Sequence, residues 1–128
     1  MRIYMDNPRI GRCHCGAVTV TVPATAFGVV ACHCSDCQKM HGNYFAMIAA
    51  PTADVRLEGE EHIRWYTSSE SSRRAFCDVC GSRIAKEQLG SGRLLLSIGL
   101  FGPTTGLRVR KNVYAASKPD WYPLPAED

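Results

Sequence analysis

The sequence has no apolar run approaching the roughly 18 residues needed to span a bilayer. Its first sixteen residues, MRIYMDNPRIGRCHCG, lack the apolar h-region of an export signal, so the expectation is a chain that stays in the cytoplasm. It is also short of charge of one sign: fifteen Lys and Arg against twelve Asp and Glu leave a net charge of +3. The basic residues are scattered, with Arg73–Arg74 and Arg108, Arg110 and Lys111 as the only local clusters. A chain that wraps phosphates shows a denser stripe. Neither nucleic acid nor a membrane is therefore expected as a partner. No segment of twelve or more residues keeps a 3.6 period, which argues against long helices. There are no repeats, linkers or low-complexity stretches, and 128 residues suit a single domain spanning 1–128.

No cysteine stands alone. The seven fall into three tight groups, CHC at 13–15, CHCSDC at 32–37 and CDVC at 77–80. Cysteines used as small buried apolar residues would be scattered. Disulfides are not expected in a reducing compartment, and seven is odd, so at least one thiol would be left over. Paired thiols suit a redox relay, but clustering at these spacings points more strongly to metal. Thiolate-rich sites select zinc, iron–sulfur or copper(I). Seven ligands divide as four plus three, and glycine indicates how. Cys15–Gly16 and Cys80–Gly81 both place a glycine after a cysteine. There it lets the backbone turn sharply and aim N–H groups at sulfur. Cys13, Cys15, Cys77 and Cys80 are therefore joined as one closed site. Closing a loop of roughly sixty residues, this clasp is expected to contribute strongly to folding.

Cys32, Cys34 and Cys37 have no such glycine. Ser35 is a candidate N-cap for a short helical turn through SDCQKMH, which would put Cys34 and Cys37 on one face. Cys32 ends the apolar run FGVVAC and can point to the same place. Three protein ligands with one open position is the pattern of a catalytic rather than a structural zinc. Water, hydroxide or an incoming thiol would complete it, with His41 as a rival ligand and His33 expected to point away. Asp36, His33 and His41 are the nearby candidates for a general base. Arg73 and Arg74 are candidates to receive a substrate carboxylate, with a solvated strand face expected for at least one. In the segment QKMHGNYF, Gly42 would permit close backbone approach, and Tyr44 or Phe45 would wall a pocket.

The remainder reads as mainly β. AVTVTV (17–22) alternates with a period of two. FGVVACH, YFAMIAA, HIRWYTS, RLLLSIGL and LRVRKNVYAA are short β-branched, aromatic or aliphatic runs separated by Gly, Pro, Asn and Asp. The tail SKPDWYPLPAED reads as extended, packed back on the body through Trp121 and Tyr122.

In order, GRCHCGAV, ACHCSDCQKMHGNYF, WYTSSESSRRAFCDVCGSRI and SKPDW resemble the glutathione-dependent formaldehyde-activating enzyme family, over about Gly11 to Trp121. The resemblance implies a β-tent fold, with small antiparallel sheets pinned at one end by a four-cysteine zinc site and at most short helical turns. It implies a structural zinc on Cys13, Cys15, Cys77 and Cys80, and a catalytic zinc on Cys32, Cys34 and Cys37, two ions per chain with the second labile. The implied activity is that of a carbon–sulfur lyase acting on a thiol–aldehyde adduct such as S-hydroxymethylglutathione, formed from glutathione and formaldehyde. The alternatives are a non-catalytic module that binds a small thiol or a protein partner, and a redox switch that ejects metal on oxidation. A thiol of pKa about 8.5 is about 3% thiolate at pH 7, so deprotonation alone gains at most about thirtyfold. Most of any acceleration must come from positioning or polarising the aldehyde.

Overall fold

A computed structural model describes residues 7–124. The first six and last four residues, part of the stretch read for a leader and the end of the proline-rich tail, lie outside the described residues.

Among the described residues, ten short strands form two sheets. A three-stranded antiparallel sheet, in the order β1–β2–β5, contains β1 (Arg9–Arg12), β2 (Thr19–Val22) and β5 (Arg56–Glu58). The second sheet has seven strands: β3 (Phe27–Cys32), β4 (Phe45–Pro51), β6 (Ile63–Ser69), β7 (Ser72–Cys77), β8 (Arg83–Gln88), β9 (Arg93–Ser97) and β10 (Val109–Val113). Its order is β10–β3–β4–β9–β8–β7–β6. The mainly-β expectation holds, and α1 (Ser35–His41) is the single α-helix among the described residues. Every pairing is antiparallel except β10 with β3, which is parallel.

The period of two along β2 buries Val20 and Val22 and leaves Thr19 and Thr21 part-exposed. These valines and Val18 pack on Ile48, Ala75, Ile84 and Leu96 of the larger sheet. Each fully buried aliphatic side chain contributes about 1.5–3 kcal/mol. Across the larger sheet, Ala75, Ala85, Leu96 and Ile48 are register partners and all face this core. Adjacent residues in a strand point to opposite faces. The next row, Arg74, Lys86, Leu95 and Ala49, therefore lies on the far face. There α1 covers a second, smaller cluster of Cys32, Cys37, Phe45 and Met47.

The sequence pattern gives no warning of β7 and β8, because SRRAFC and RIAKEQ set charged residues side by side and keep no apolar period of two. Tertiary contacts explain both. Arg73 lies 4.0 Å over the Trp65 ring and donates to Glu87 Oε1 at 2.6 Å, so β6, β7 and β8 are tied together on the face that carries Ala75. Three local expectations change. The N-cap of α1 is Cys34, whose Sγ accepts from the Cys37 N–H, and Ser35 is already helical. Gly42 adopts φ +84° as the left-handed C-cap, and a Cβ there would meet nothing within 4 Å. Its freedom ends the helix rather than admitting a substrate. In the tail, Tyr122 packs against His33 and Tyr44, whereas Trp121 is 63% exposed.

Gly59 does require close approach. Its φ is +80°, and a Cβ would overlap the carbonyl oxygen of Ala17, beside the first Cys-Gly turn. Gly59→Ala combines the left-handed penalty with a backbone clash and should destabilise by about 2–3 kcal/mol. Urea unfolding at fixed metal loading checks this, and an unchanged midpoint would contradict the close packing.

Candidate metal centres

The first centre is built from two turns brought together by sheet packing. Gly16 and Gly81 take φ +83° and +79°, the left-handed turns that their positions after cysteine suggest. In the first turn the N–H groups of Ala17 and Val18 donate to Cys15 Sγ and Cys13 Sγ at 3.5 and 3.3 Å. Ser82 joins the turns, accepting from the His14 N–H at 3.0 Å and lying 3.2 Å from Cys80 Sγ. Asp78, between Cys77 and Cys80, is held by His62 Nδ1 at 3.0 Å and Arg64 Nη2 at 2.9 Å. The four sulfurs of Cys13, Cys15, Cys77 and Cys80 all lie within 4.8 Å of one another. Cys13 to Cys15 is 3.6 Å and Cys15 to Cys77 is 3.8 Å. A tetrahedral ion with metal–sulfur bonds of about 2.3 Å sets its ligands about 3.8 Å apart. A disulfide would bring two sulfurs to about 2.05 Å. The group therefore fits one four-coordinate, thiolate-bound ion.

Without metal, four touching thiols cannot all ionise, since each thiolate raises the cost of the next. The Ser82 hydroxyl and N–H pull Cys80 down to about 5. The Ala17 N–H favours the Cys15 thiolate, but desolvation and the neighbouring sulfurs prevail and push it up to about 12. A divalent cation removes this conflict.

The second centre lies on the far face of the larger sheet. Cys32 ends β3, Cys34 caps α1 and Cys37 is one turn further along. Their three sulfurs also lie within 4.8 Å of one another, so this group too can hold a metal ion. Cys32 and Cys37 are buried and Cys34 is part-exposed. The helix is fixed at both ends. Gln38 Nε2 donates to the carbonyls of His33 and Ser117, and Arg83 Nε donates to the Met40 carbonyl.

Beneath Cys37 lies Arg74, 4% exposed. Its Nη1 and Nη2 lie 3.7 and 3.6 Å from Cys37 Sγ, and its Nε donates to Ser68 Oγ at 3.4 Å. Among the described residues it pairs with no carboxylate. A buried guanidinium without a counter-charge is costly, and the cysteine group supplies the negative charge. The neighbouring Cys32 sulfur and burial push the Cys37 thiol well above its ordinary value, while Cys34 and Arg74 oppose the rise. The hydrogen bond from Cys37 holds Cys32 below its ordinary value. Neither arginine of the Arg73–Arg74 pair is placed to receive a substrate carboxylate. Arg73 is committed to Glu87 and Trp65 on the opposite face, and Arg74 is committed to sulfur. Sequence position alone could not separate them; the alternation of β7 does.

The histidines leave the metal group to the sulfurs. His33 is fully buried with Nε2 2.9 Å from Asn112 Oδ1, facing away as expected. His41 stacks flat on Phe45, ring centroids 4.3 Å apart, and is not among the clustered ligands. Burial and then the nearby charges of Arg74, Arg83 and Lys86 lower its pKa to about 4. The unfolded chain binds this proton near 6.5 and the folded chain only near 4. The stabilisation is thus complete above about pH 6.5 and is lost as pH falls towards 4. The drop in melting temperature between pH 7 and pH 5 should shrink in His41→Gln, and an identical drop would contradict a buried neutral imidazole. Phe45 is 2% exposed and packs in the small cluster with Cys32, Cys37 and Met47. Tyr44 instead packs on His33 and Tyr122.

No helix among the described residues is long and apolar enough to cross a membrane. The fold is similar to the crystal structure of a Rhodobacter sphaeroides protein, with a TM-score of 0.65 and 22% identity, covering 80% of this chain and 98% of that one. The sequence profile of the glutathione-dependent formaldehyde-activating enzymes matches residues 8–117, a span holding all seven cysteines, and the chain belongs to that family.

Proposed function

We propose that this protein is a zinc-dependent carbon–sulfur lyase, a single cytoplasmic domain over residues 1–128. It would act on the adduct of a small thiol with an aldehyde, such as S-hydroxymethylglutathione. Family membership supports a glutathione-related, formaldehyde-activating function in general. The observation that carries the finer reading is the contrast between the two cysteine groups. Cys13, Cys15, Cys77 and Cys80 form a complete set of four, suited to a structural zinc. Cys32, Cys34 and Cys37 form a set of three, suited to a catalytic zinc that keeps a position for an incoming sulfur.

Bound there, zinc would supply a Lewis acid that favours the thiolate form of a thiol substrate. The chain's own residues set the conditions. Arg74 offsets negative charge at Cys37 from inside the fold, where the low dielectric strengthens its effect. Phe45 and the stacked His41 keep water from that side of the group. His41, with a pKa of about 4, is too weak a base for a thiol of pKa about 8.5. His33 faces Asn112. Catalysis would therefore rest on holding the two reactants together rather than on a dedicated base.

Native mass spectrometry on protein purified without chelator, with and without glutathione, tests the reading, followed by the rate of glutathione–formaldehyde exchange. Two zinc ions per chain, a glutathione adduct and accelerated exchange are expected. Cys34→Ser should keep the fold and one zinc and lose the acceleration. One zinc and no adduct in the parent protein would sink the mechanism. A retained adduct with no acceleration would identify a thiol-binding module instead, the reading that the lack of a placed base among His33 and His41 favours.

A further inference from the structure

The far face of the larger sheet continues past the three-cysteine group into a cavity of about 280 Å³. Cys32 is part of its lining. Its floor is apolar, formed by Val30, Met47, Leu95 and Val113, and its sides carry Lys86, Arg93, Arg110 and Lys111. No aspartate or glutamate among the described residues lines it. The whole chain holds fifteen basic and twelve acidic residues, so four bases and no acid around one cavity is a local segregation that the composition does not explain. Register shows how it arises. Lys86 pairs with Leu95, and Arg93 lies two residues before Leu95 on the same strand, so both side chains leave the sheet on the cavity face. Glu87, next to Lys86, points to the opposite face and is taken by Arg73. Lys86, Arg93 and Lys111 form no ion pair among the described residues. Tyr114 stands at the rim, 67% exposed and held at φ +55°, the single non-glycine residue with positive φ among those described. Backbone strain of this kind collects at ligand sites.

We propose that this basic trough is the recognition site for the carboxylates of the substrate. Lys86, Arg93 and Lys111 select a small thiol bearing two carboxylates and direct its sulfur towards Cys32, Cys34 and Cys37. The inference rests on the thiol-handling function proposed above and adds the residues and charge that set its specificity. The apolar floor suits the uncharged segment between the charged ends. Neutral and cationic thiols would reach the metal group without help from the trough.

S-methylglutathione separates the two readings, because it keeps both carboxylates and has no free thiol. Titration calorimetry of the zinc-loaded protein should show it binding, with affinity that falls as salt is raised. Lys86→Gln and Arg93→Gln should each weaken binding about tenfold, and the double charge reversal Lys86→Glu/Arg93→Glu should abolish it. Both side chains are at or near the surface, so circular dichroism should be unchanged. In the cobalt-substituted protein, the absorption change caused by 2-mercaptoethanol should be the same in parent and variants. No binding of S-methylglutathione, or equal binding by the double variant, would overturn the trough while leaving the thiol mechanism standing. Normal S-methylglutathione binding with no cobalt response to any thiol would overturn the mechanism and retain the trough as an anion site.

Discussion

Cys77→Ser is expected to cost the protein its folded state at room temperature, not only a metal ion. Cys77 is fully buried at the end of β7, its sulfur 3.8 Å from that of Cys15, sixty-two positions away in the chain. Structural zinc in small domains contributes about 10–16 kcal/mol of apparent binding free energy. Domains of this size have a net stability of about 5–15 kcal/mol. The metal term is therefore as large as the whole margin. Serine at this position leaves three sulfurs that repel one another as thiolates or lie desolvated as thiols. The turns at Gly16 and Gly81 then lose what joins the small sheet to the large one, apart from Ser82 and the Val18–Val22 core. Far-ultraviolet circular dichroism and zinc counting by native mass spectrometry should show an unfolded or aggregating protein. Prolonged chelation of the parent should reach the same state, more slowly. A folded, cooperative Cys77→Ser protein holding one zinc fewer would show that the core alone suffices.

Arg74→Met is expected to preserve the fold and weaken the metal in the three-cysteine group by about 10–100-fold, the usual loss when a partner of a metal ligand is removed. Methionine fills much of the buried volume while deleting the two contacts to Cys37 Sγ and the bond to Ser68. With zinc and three thiolates the group carries a formal charge of about −1, which the guanidinium offsets. Removing that charge should also disfavour an anionic fourth ligand, so a thiol should bind more weakly than before. Arg74→Lys keeps the charge but not the paired donors, and is expected to recover only part of the loss. Competition with a chromophoric chelator measures zinc affinity, and the cobalt spectrum reports the ligand environment. Unchanged affinity in Arg74→Met would show that the arginine serves packing alone.

The cysteine groupings, their Cys-Gly turns and the short helix after Cys34 were legible in the chain because each depends on residues a few positions apart. Chemistry and backbone geometry act there at close range, and the spacing carries the signal. The strongly alternating strand β2 was legible for the same reason. The separation of Arg73 from Arg74 was not, because both are arginines in one charged stretch. Only pairing of β7 with β6 and β8 turns one towards Glu87 and Trp65 and the other beneath Cys37. The basic trough likewise draws on β8, β9 and β10, whose side chains are dispersed in the sequence and meet only on the sheet face. The sequence by itself determined which sulfurs are available to metal and how they are grouped. The tertiary structure decided which charges surround them, because strand register, a property of distant pairing, assigns each side chain to a face.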